Sequence, residues 1–593
     1  MQGKWNLDDI YKGFDSPEFL ADFDSVGGLV KQMNDLSEKI ESFDEVKKLV
    51  GMLEEIISIA SRIGAYSSFV YTTDTSDQGA NKYTFQLRAI TAEAARARVR
   101  LSAFLAKDPG SIKSLAEKAG IGEYVWKLEE MAKDFAHMMS EDEETLVSQL
   151  SNTGSGAWVM LQSKLISTLT CEYADPTDGG KARTIGINEA RNLAYHQNPE
   201  VRKAAYEAEI SAYPKIAESC AAAINGIKGE VNLLTGKRNY ESPLAKTLRD
   251  SQMTRKTLDA MFMAIDENIQ FFRDYLRAKA AYLTKGEKKG LPFYDLFAPV
   301  GLKSDKELSY DEAKALVLAN FTRFSPEMER VAKLSFDNEW IDVYPREGKV
   351  SGAYCGSVYA IKQFRILLNY GNSLSDAITL AHELGHGYHA IQIMQEKILN
   401  TTYPMPLAET ASTFCEAILT NAALETLQGD EKLQLIENSI SDATQVLVDI
   451  YSRYLFETYV FETRADHPLS VDELNDAMLD AQKKAYGNGL DEDILHKYMW
   501  VVKPHYYSAS MNFYNFPYAF GHLLANGLYG IYQKDPDTFE AKYISFLRST
   551  GKMPIKESCM MLGIDVEDVK FWKDSIDVIK QNIASFMELA KVQ

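Results

Sequence analysis

From Glu45 to Lys107 good helix formers alternate with apolar residues at three- and four-residue spacing, and Pro17 is the only proline before Pro109. This predicts long antiparallel helices and an N-terminal helical lobe. Breakers cluster at Asp175-Pro176-Thr177-Asp178-Gly179-Gly180, and helical texture resumes near Ile187, so a lobe boundary is expected near residue 180. The division is 1–180 for an N-terminal helical lobe and 181–593 for the lobe carrying the chemistry. Between Trp340 and Tyr370 the pattern changes to short β-prone runs, Val343-Tyr344, Lys349-Val350-Ser351 and Phe364-Arg365-Ile366-Leu367-Leu368, separated by glycines. A small sheet is expected there, within a chain that is otherwise mainly α. No fixed-period repeat or Pro- or Ser-rich tether is present.

Charge narrows the partners. Lys and Arg total 64 against 84 Asp and Glu, a formal charge of -20, which repels polyanions and argues against nucleic acid and anionic membranes. The first residues lack the apolar stretch of a secretory signal, and no run of about 18 apolar residues occurs. A cytoplasmic protein is expected. Cys171, Cys220, Cys355, Cys415 and Cys559 are odd in number and scattered, which suits reduced thiols better than a disulfide framework.

The chemistry is concentrated in His382-Glu383-Leu384-Gly385-His386. Two imidazoles at i and i+4 of a helix lie one turn apart on the same face and can converge on one metal ion. Glu383, about 100° further round, can reach a water bound to that metal without competing for the ion, the position of a general base. Helix context is supported by Ser373 and Asp376, an acidic variant of the capping box, and by Leu374, Ala377, Ile378, Ala381 and Leu384. Gly385 and Gly387 each weaken the helix by up to about 1 kcal/mol relative to Ala, which implies that something approaches its backbone closely.

Zinc needs a third protein ligand. A histidine ten residues after the first, with a glycine seven after it, would make the site metzincin-like; Gln392 and His389 occupy those positions, leaving a downstream carboxylate. Glu396, on a continued helix, would stand about 15 Å beyond His386 and is rejected. Pro404 and Pro406 are expected to end the motif helix, and Leu407 to Glu416 to begin another that runs back against it, with Glu409 and Glu416 on one face. One of the two would ligate and the other hydrogen-bond a ligating histidine. Spacing favours Glu409, the earlier and nearer to the reversal.

Thr379 to His389, followed by Leu407-Ala408-Glu409-Thr410-Ala411-Ser412 and Glu416, resembles the M3 metallopeptidases, and specifically the oligoendopeptidase F branch. Further similarity lies in Arg238 to Pro243, Phe293 to Pro299, Gly348 to Tyr354 and the opening Trp5 to Tyr11. The resemblance implies a two-lobed helical ellipsoid with a deep central channel, the zinc at its floor and a small sheet beside the motif helix. It carries the third ligand to Glu409 and the supporting carboxylate to Glu416. It also implies substrates that are short unstructured peptides.

A histidine and tyrosines over the zinc are implied as well, which by motif position are His505, Tyr514 and Tyr518. Donors aimed at a tetrahedral oxyanion stabilise its developing charge. Here the chain departs from the pattern, with Phe516 where relatives tend to have a further tyrosine and Pro517 interrupting the segment.

Gly352, Ala353 and Tyr354 suggest a strand edge that pairs with substrate backbone and so grips an extended peptide whatever its side chains. His389, His137 and His196 are assigned no chemistry. The expectation is a cytoplasmic zinc endopeptidase with one Zn2+ per chain, held by His382, His386 and Glu409. Its water is activated by Glu383 and its partners are oligopeptides; a monomer is compatible with all of this. The competing readings are a peptide-binding scaffold on a dead peptidase fold, a carboxypeptidase or dipeptidase, and cobalt or manganese in place of zinc.

Overall fold

A computed structural model describes residues 3–301 and 307–591. The architecture is mainly α: twenty-five α-helices and five short strands among the described residues. No helix among them is long and apolar enough to cross a membrane. Contacts divide the chain into two compact units that are discontinuous in sequence. One gathers the described residues of Met1–Met138, Asp305–Ala422 and Ile531–Ile564; the other those of Met139–Ser304, Ala423–Gly530 and Asp565–Gln593.

In the first unit the helices Pro17–Ser37, Phe43–Thr73, Gln78–Ala92 and Ala95–Leu105 account for the apolar periodicity of the N-terminal region. Ser16 caps the first, accepting from Phe19 N, with Pro17 at its opening position, where the missing N–H costs nothing. Their buried faces meet in a core of Phe19, Val26, Leu49, Ile63, Phe69 and Leu101, and the same core takes in Val358 and Leu367. The N-terminal helices are thereby packed onto the sheet that precedes the metal motif.

That sheet has three strands, β3 (Ile341–Asp342), β4 (Tyr354–Val358) and β5 (Gln363–Leu367), in the order β3-β5-β4. β3 runs parallel to β5 and β4 antiparallel, with Tyr354 opposite Leu367 and Val358 opposite Gln363. Of the β-prone runs, only Phe364 to Leu367 lies in a strand; Val343-Tyr344 and Lys349 to Ser351 flank the sheet. Their backbone groups bond elsewhere: Val343 N donates to Gly3 O, and Val350 N to Thr72 O on the helix Phe43–Thr73. The Val343 carbonyl in turn accepts from Tyr370 N, just beyond β5.

The motif helix, Leu374–Ile393, follows β5. Ser373 Oγ accepts from Asp376 N at 3.1 Å while Asp376 Oδ2 accepts from Ser373 N at 3.0 Å, the reciprocal box expected from the sequence. The helix ends at Ile393, well before Pro404, and a short 3-10 turn at Ile398–Asn400 intervenes. Glu396 consequently stands outside the helix and pairs with Lys552 at 2.8 Å.

The second unit contains the long helices Ala217–Lys237, Arg255–Thr284, Ile450–Arg464 and Val569–Leu589. It also holds a hairpin that periodicity did not reveal, β1 (Thr170–Ala174) against β2 (Ala182–Gly186). The breakers at 175–180 form its turn: Asp175 Oδ1 accepts from Thr177 N, and Gly179 and Gly180 adopt the positive φ that glycine tolerates.

Candidate active site

His382 and His386 project from one face of the motif helix, with their Nε2 atoms 3.1 Å apart. Glu409 Oε2 lies 3.3 Å from each of them. Three ligands held at about 2.0–2.1 Å in a tetrahedron stand roughly 3.3 Å from one another, so this triangle has the dimensions that a small divalent cation demands. Two imidazole nitrogens and one carboxylate oxygen are also the donor set of hydrolytic zinc centres. Among the described residues this is the one cluster of three or more such side chains with metal-binding spacing.

The approach of the two helices is set by glycine. A Cβ on Gly385 would fall 2.5 Å from Ala411 O and 2.7 Å from Ser412 Cα, and one on Gly387 would fall 2.6 Å from the Phe364 ring of β5. The motif helix is therefore wedged between the sheet and the segment that presents Glu409, and only bare backbone fits on both sides.

Glu409 immediately precedes the helix Thr410–Thr426, its carbonyl accepting from Thr413 N at 3.0 Å. Ser412 Oγ donates to Glu409 Oε2 at 2.9 Å and fixes the carboxylate. Sequence reading passed over Ser412, although a hydroxyl one turn beyond a helix-initiating acid is a local signal. Glu416, two turns further, places Oε1 2.7 Å from His382 Nδ1. With Nδ1–H donating to that carboxylate, His382 Nε2 is turned toward the triangle, where a cation would take the place of its proton.

Electrostatics point the same way. Burial works to lower the His382 pKa, but its hydrogen bonds to Glu409 and Glu416 prevail and hold it at about 10. Burial works to raise that of Glu409, yet the two histidines hold it well below the usual carboxylate range. Positive charge is thus stabilised here by surrounding acids, as a resident cation would be. Glu383 is 5% exposed, its Oε2 has no hydrogen-bond partner, and burial pushes its carboxyl up, against the pull of both histidines. A buried carboxylate oxygen left without a donor is suited to receive a proton.

His389 is separate from this cluster: fully buried, it stacks on Tyr403 with ring centroids 4.3 Å apart, and its Nε2 lies 3.0 Å from Thr550 Oγ1. His196 Nδ1 accepts from Asn198 N in a chain turn. β4 is an edge strand, hydrogen-bonded to β5 alone. Tyr354 at its start is anchored by Thr72, Oγ1 to OH 2.7 Å, and the Gly352 carbonyl accepts from Asn369 Nδ2 at 2.8 Å.

In the second unit His505, Tyr514 and Tyr518 come together. The His505 and Tyr514 rings stack with centroids 5.7 Å apart, and Tyr518 meets Tyr514 edge-on at 5.5 Å. His505 lies in the turn Pro504–Tyr507; burial, then Arg453 and Lys503, push its pKa down, which favours the neutral imidazole. Pro517 does not interrupt this region. It occupies the first turn of the helix Phe516–Lys534, where a missing N–H is harmless, and Phe516 is fully buried.

The loop before that helix is held from below. Lys228 Nζ donates to Glu457 Oε1 at 2.7 Å and to Asn512 Oδ1 at 3.0 Å, and Asn515 Nδ2 donates to Glu457 Oε2 at 3.2 Å. Lys228 and Glu457 are buried, and no local motif links residues 229 positions apart, so sequence reading missed both.

The family model for peptidase family M3 matches residues 192–578, and the one for oligopeptidase F matches residues 104–170. Oligopeptidase PepF of Bacillus subtilis is 24% identical over 578 residues, covering 95% of this chain and 83% of that protein. The crystal structure of a Chlamydophila abortus protein superposes with a TM-score of 0.85 at 21% identity, covering 99% of this chain and 98% of that one. That of oligoendopeptidase-F from Enterococcus faecium gives 0.72 at 18% identity, covering 97% and 99%. The chain belongs to peptidase family M3. It is a metallopeptidase, a hydrolase of peptide bonds.

Proposed function

We propose that this protein is a zinc-dependent, cytoplasmic endopeptidase that cleaves short unstructured oligopeptides. The carrying observation is the triangle of His382, His386 and Glu409 with the unpartnered Glu383 carboxylate beside it. Relatives named as an oligopeptidase and as an oligoendopeptidase F homolog support the substrate class. All the candidate catalytic residues fall in 181–593, which supports that division of labour along the chain.

His382, His386 and Glu409 would hold one Zn2+. When bound, zinc supplies Lewis acidity that polarises a peptide carbonyl and makes water acidic near neutral pH. Glu416 orients His382 through Nδ1. Glu383 takes a proton from water at its carboxylate as the oxygen attacks the scissile carbon, and returns it to the departing amine as the C–N bond breaks. Its raised pKa brings the proton affinity of this base closer to neutrality. His505, Tyr514 and Tyr518 are assigned hydrogen-bond donation to the oxyanion. The free edge of β4, entered through Gly352, Ala353 and Tyr354, is assigned pairing with the substrate main chain.

The test uses the zinc-loaded protein and a peptide blocked at both ends. Internal cleavage that stops on chelation is expected, with metal retained and turnover lost in Glu383→Gln, by about 10²–10⁴-fold or more, and metal lost in Glu409→Ala. Full cleavage by Glu383→Gln would overturn the base assignment, and trimming of the unblocked counterpart with the blocked peptide left intact would make the protein an exopeptidase.

A further inference from the structure

The second unit contains a cavity of about 280 Å3 that the catalytic reading does not use. Its mouth is formed by the exposed Asn188, Asn192 and Tyr195, and its interior by buried Phe293, Tyr486 and Asp449, with Lys503 reaching in from one side. Gln445 and Asp449, the two ends of a π-helical turn between the helices Gly429–Thr444 and Ile450–Arg464, both line it. Such turns are rare and are found frequently at functional sites.

Lys503 lines the cavity without a hydrogen-bonded counter-ion among the described residues. Asp449 is taken by Arg453 and by Tyr486, whose hydroxyl donates to Oδ1 at 3.2 Å. Glu209 is shared by Arg191 at 3.3 Å and His496 at 3.2 Å. Among the described residues no group accepts a hydrogen bond from Lys503. Lys503 feels the charges of Asp449 and Glu209, which favour its ammonium form, but both carboxylates spend their hydrogen bonds on other groups. A carboxylate in the cavity would give Lys503 the hydrogen-bonding partner it lacks. The space far exceeds what an inorganic ion fills, and its amides and aromatic rings, including Tyr195 against Phe297 at 5.0 Å, suit an organic body.

The geometry points to a binding site for a small organic monocarboxylate, its carboxylate on Lys503 and Arg191 and its body between the Tyr195–Phe297 wall and the Asn188 and Asn192 amides. Lys503 is two residues from His505, so occupancy bears directly on the turn Pro504–Tyr507. Burial, with Arg453 next, already lowers the Lys503 ammonium to about 8, and a bound carboxylate relieves that.

N-acetylglycine is the probe, titrated calorimetrically at fixed ionic strength into zinc-loaded and metal-stripped protein. Saturable binding of similar strength in both forms is expected. It should weaken by about tenfold or more in Lys503→Met, the loss of one charge-assisted hydrogen bond, and in Asn192→Trp, which fills the mouth and leaves the charges in place. Absence of saturable binding, or binding that requires the metal and ignores both substitutions, overturns the site. Equal competition by sodium chloride also overturns it, since the organic walls would then contribute nothing.

Discussion

The carbonyl oxygen of Ala411 occupies the space that a side chain on Gly385 would need, 2.5 Å from where its Cβ would lie. Gly385 is thus the contact through which the helix bearing both histidines meets the segment bearing Glu409. Replacing it with alanine forces the two apart, and overpacking of this kind costs about 1–3 kcal/mol. Gly385→Ala is expected to lower the thermal midpoint and, since the triangle has edges of only 3.1–3.3 Å, to lose bound metal. Metal analysis of the folded variant checks this; full metal content at an unchanged midpoint would contradict it.

In the proposed mechanism Glu416 acts through His382. Glu416→Ala removes the acceptor 2.7 Å from Nδ1 and frees the ring to rotate or change tautomer. Affinity for zinc should fall by about 10–100-fold, measured by competition with a chelator of known strength. In saturating zinc a large part of the activity should return, which would not occur if Glu416 were itself the third ligand.

His505→Phe and Tyr514→Phe keep the stacked pair in outline while removing the donors. For oxyanion donors, kcat is expected to drop by about 10²–10³-fold in a single variant with KM little changed. A rise in KM at constant kcat would instead assign these rings to ground-state peptide binding.

Acid should destabilise the fold through His389. Burial, followed by the nearby His386, pushes its folded pKa down to about 3, against about 6.5 for an exposed imidazole. Between those values the unfolded chain holds a proton that the folded one refuses, so the contribution to stability is constant above pH 6.5. It declines by about 1.4 kcal/mol for each pH unit below. Metal-free protein heated at pH 7 and pH 5 should show a larger fall in midpoint than metal-free His389→Gln; equal falls would show that another group dominates.

The local part of the site was legible because its spacing is imposed by one secondary structure. Any helix through residues 374–393 puts His382, Glu383 and His386 where they are, and Ser373 with Asp376 fixes its start. The ETAS segment and the glycines followed from short-range pattern too, the glycines as a demand for close approach whose partner was unknown. Less could be read of the sheet. Val343-Tyr344 and Lys349 to Ser351 have strand composition, but the Val343 and Val350 amides donate to Gly3 and Thr72 in the N-terminal region, a pairing that periodicity cannot assign.

What the sequence determined by itself was therefore a helical chain, a metal motif and two acids able to complete it. Spacing favoured Glu409, but the placement of Glu409 Oε2 in the triangle and of Glu416 at Nδ1 depends on how the two helices cross. Tertiary structure likewise decided that Lys228 and Glu457 support the Asn512–Asn515 loop and that Lys503 lines a cavity beside a π-helical turn. Those facts rest on burial and on contacts between distant segments, and the free energy of a charge is set by what the whole fold brings around it.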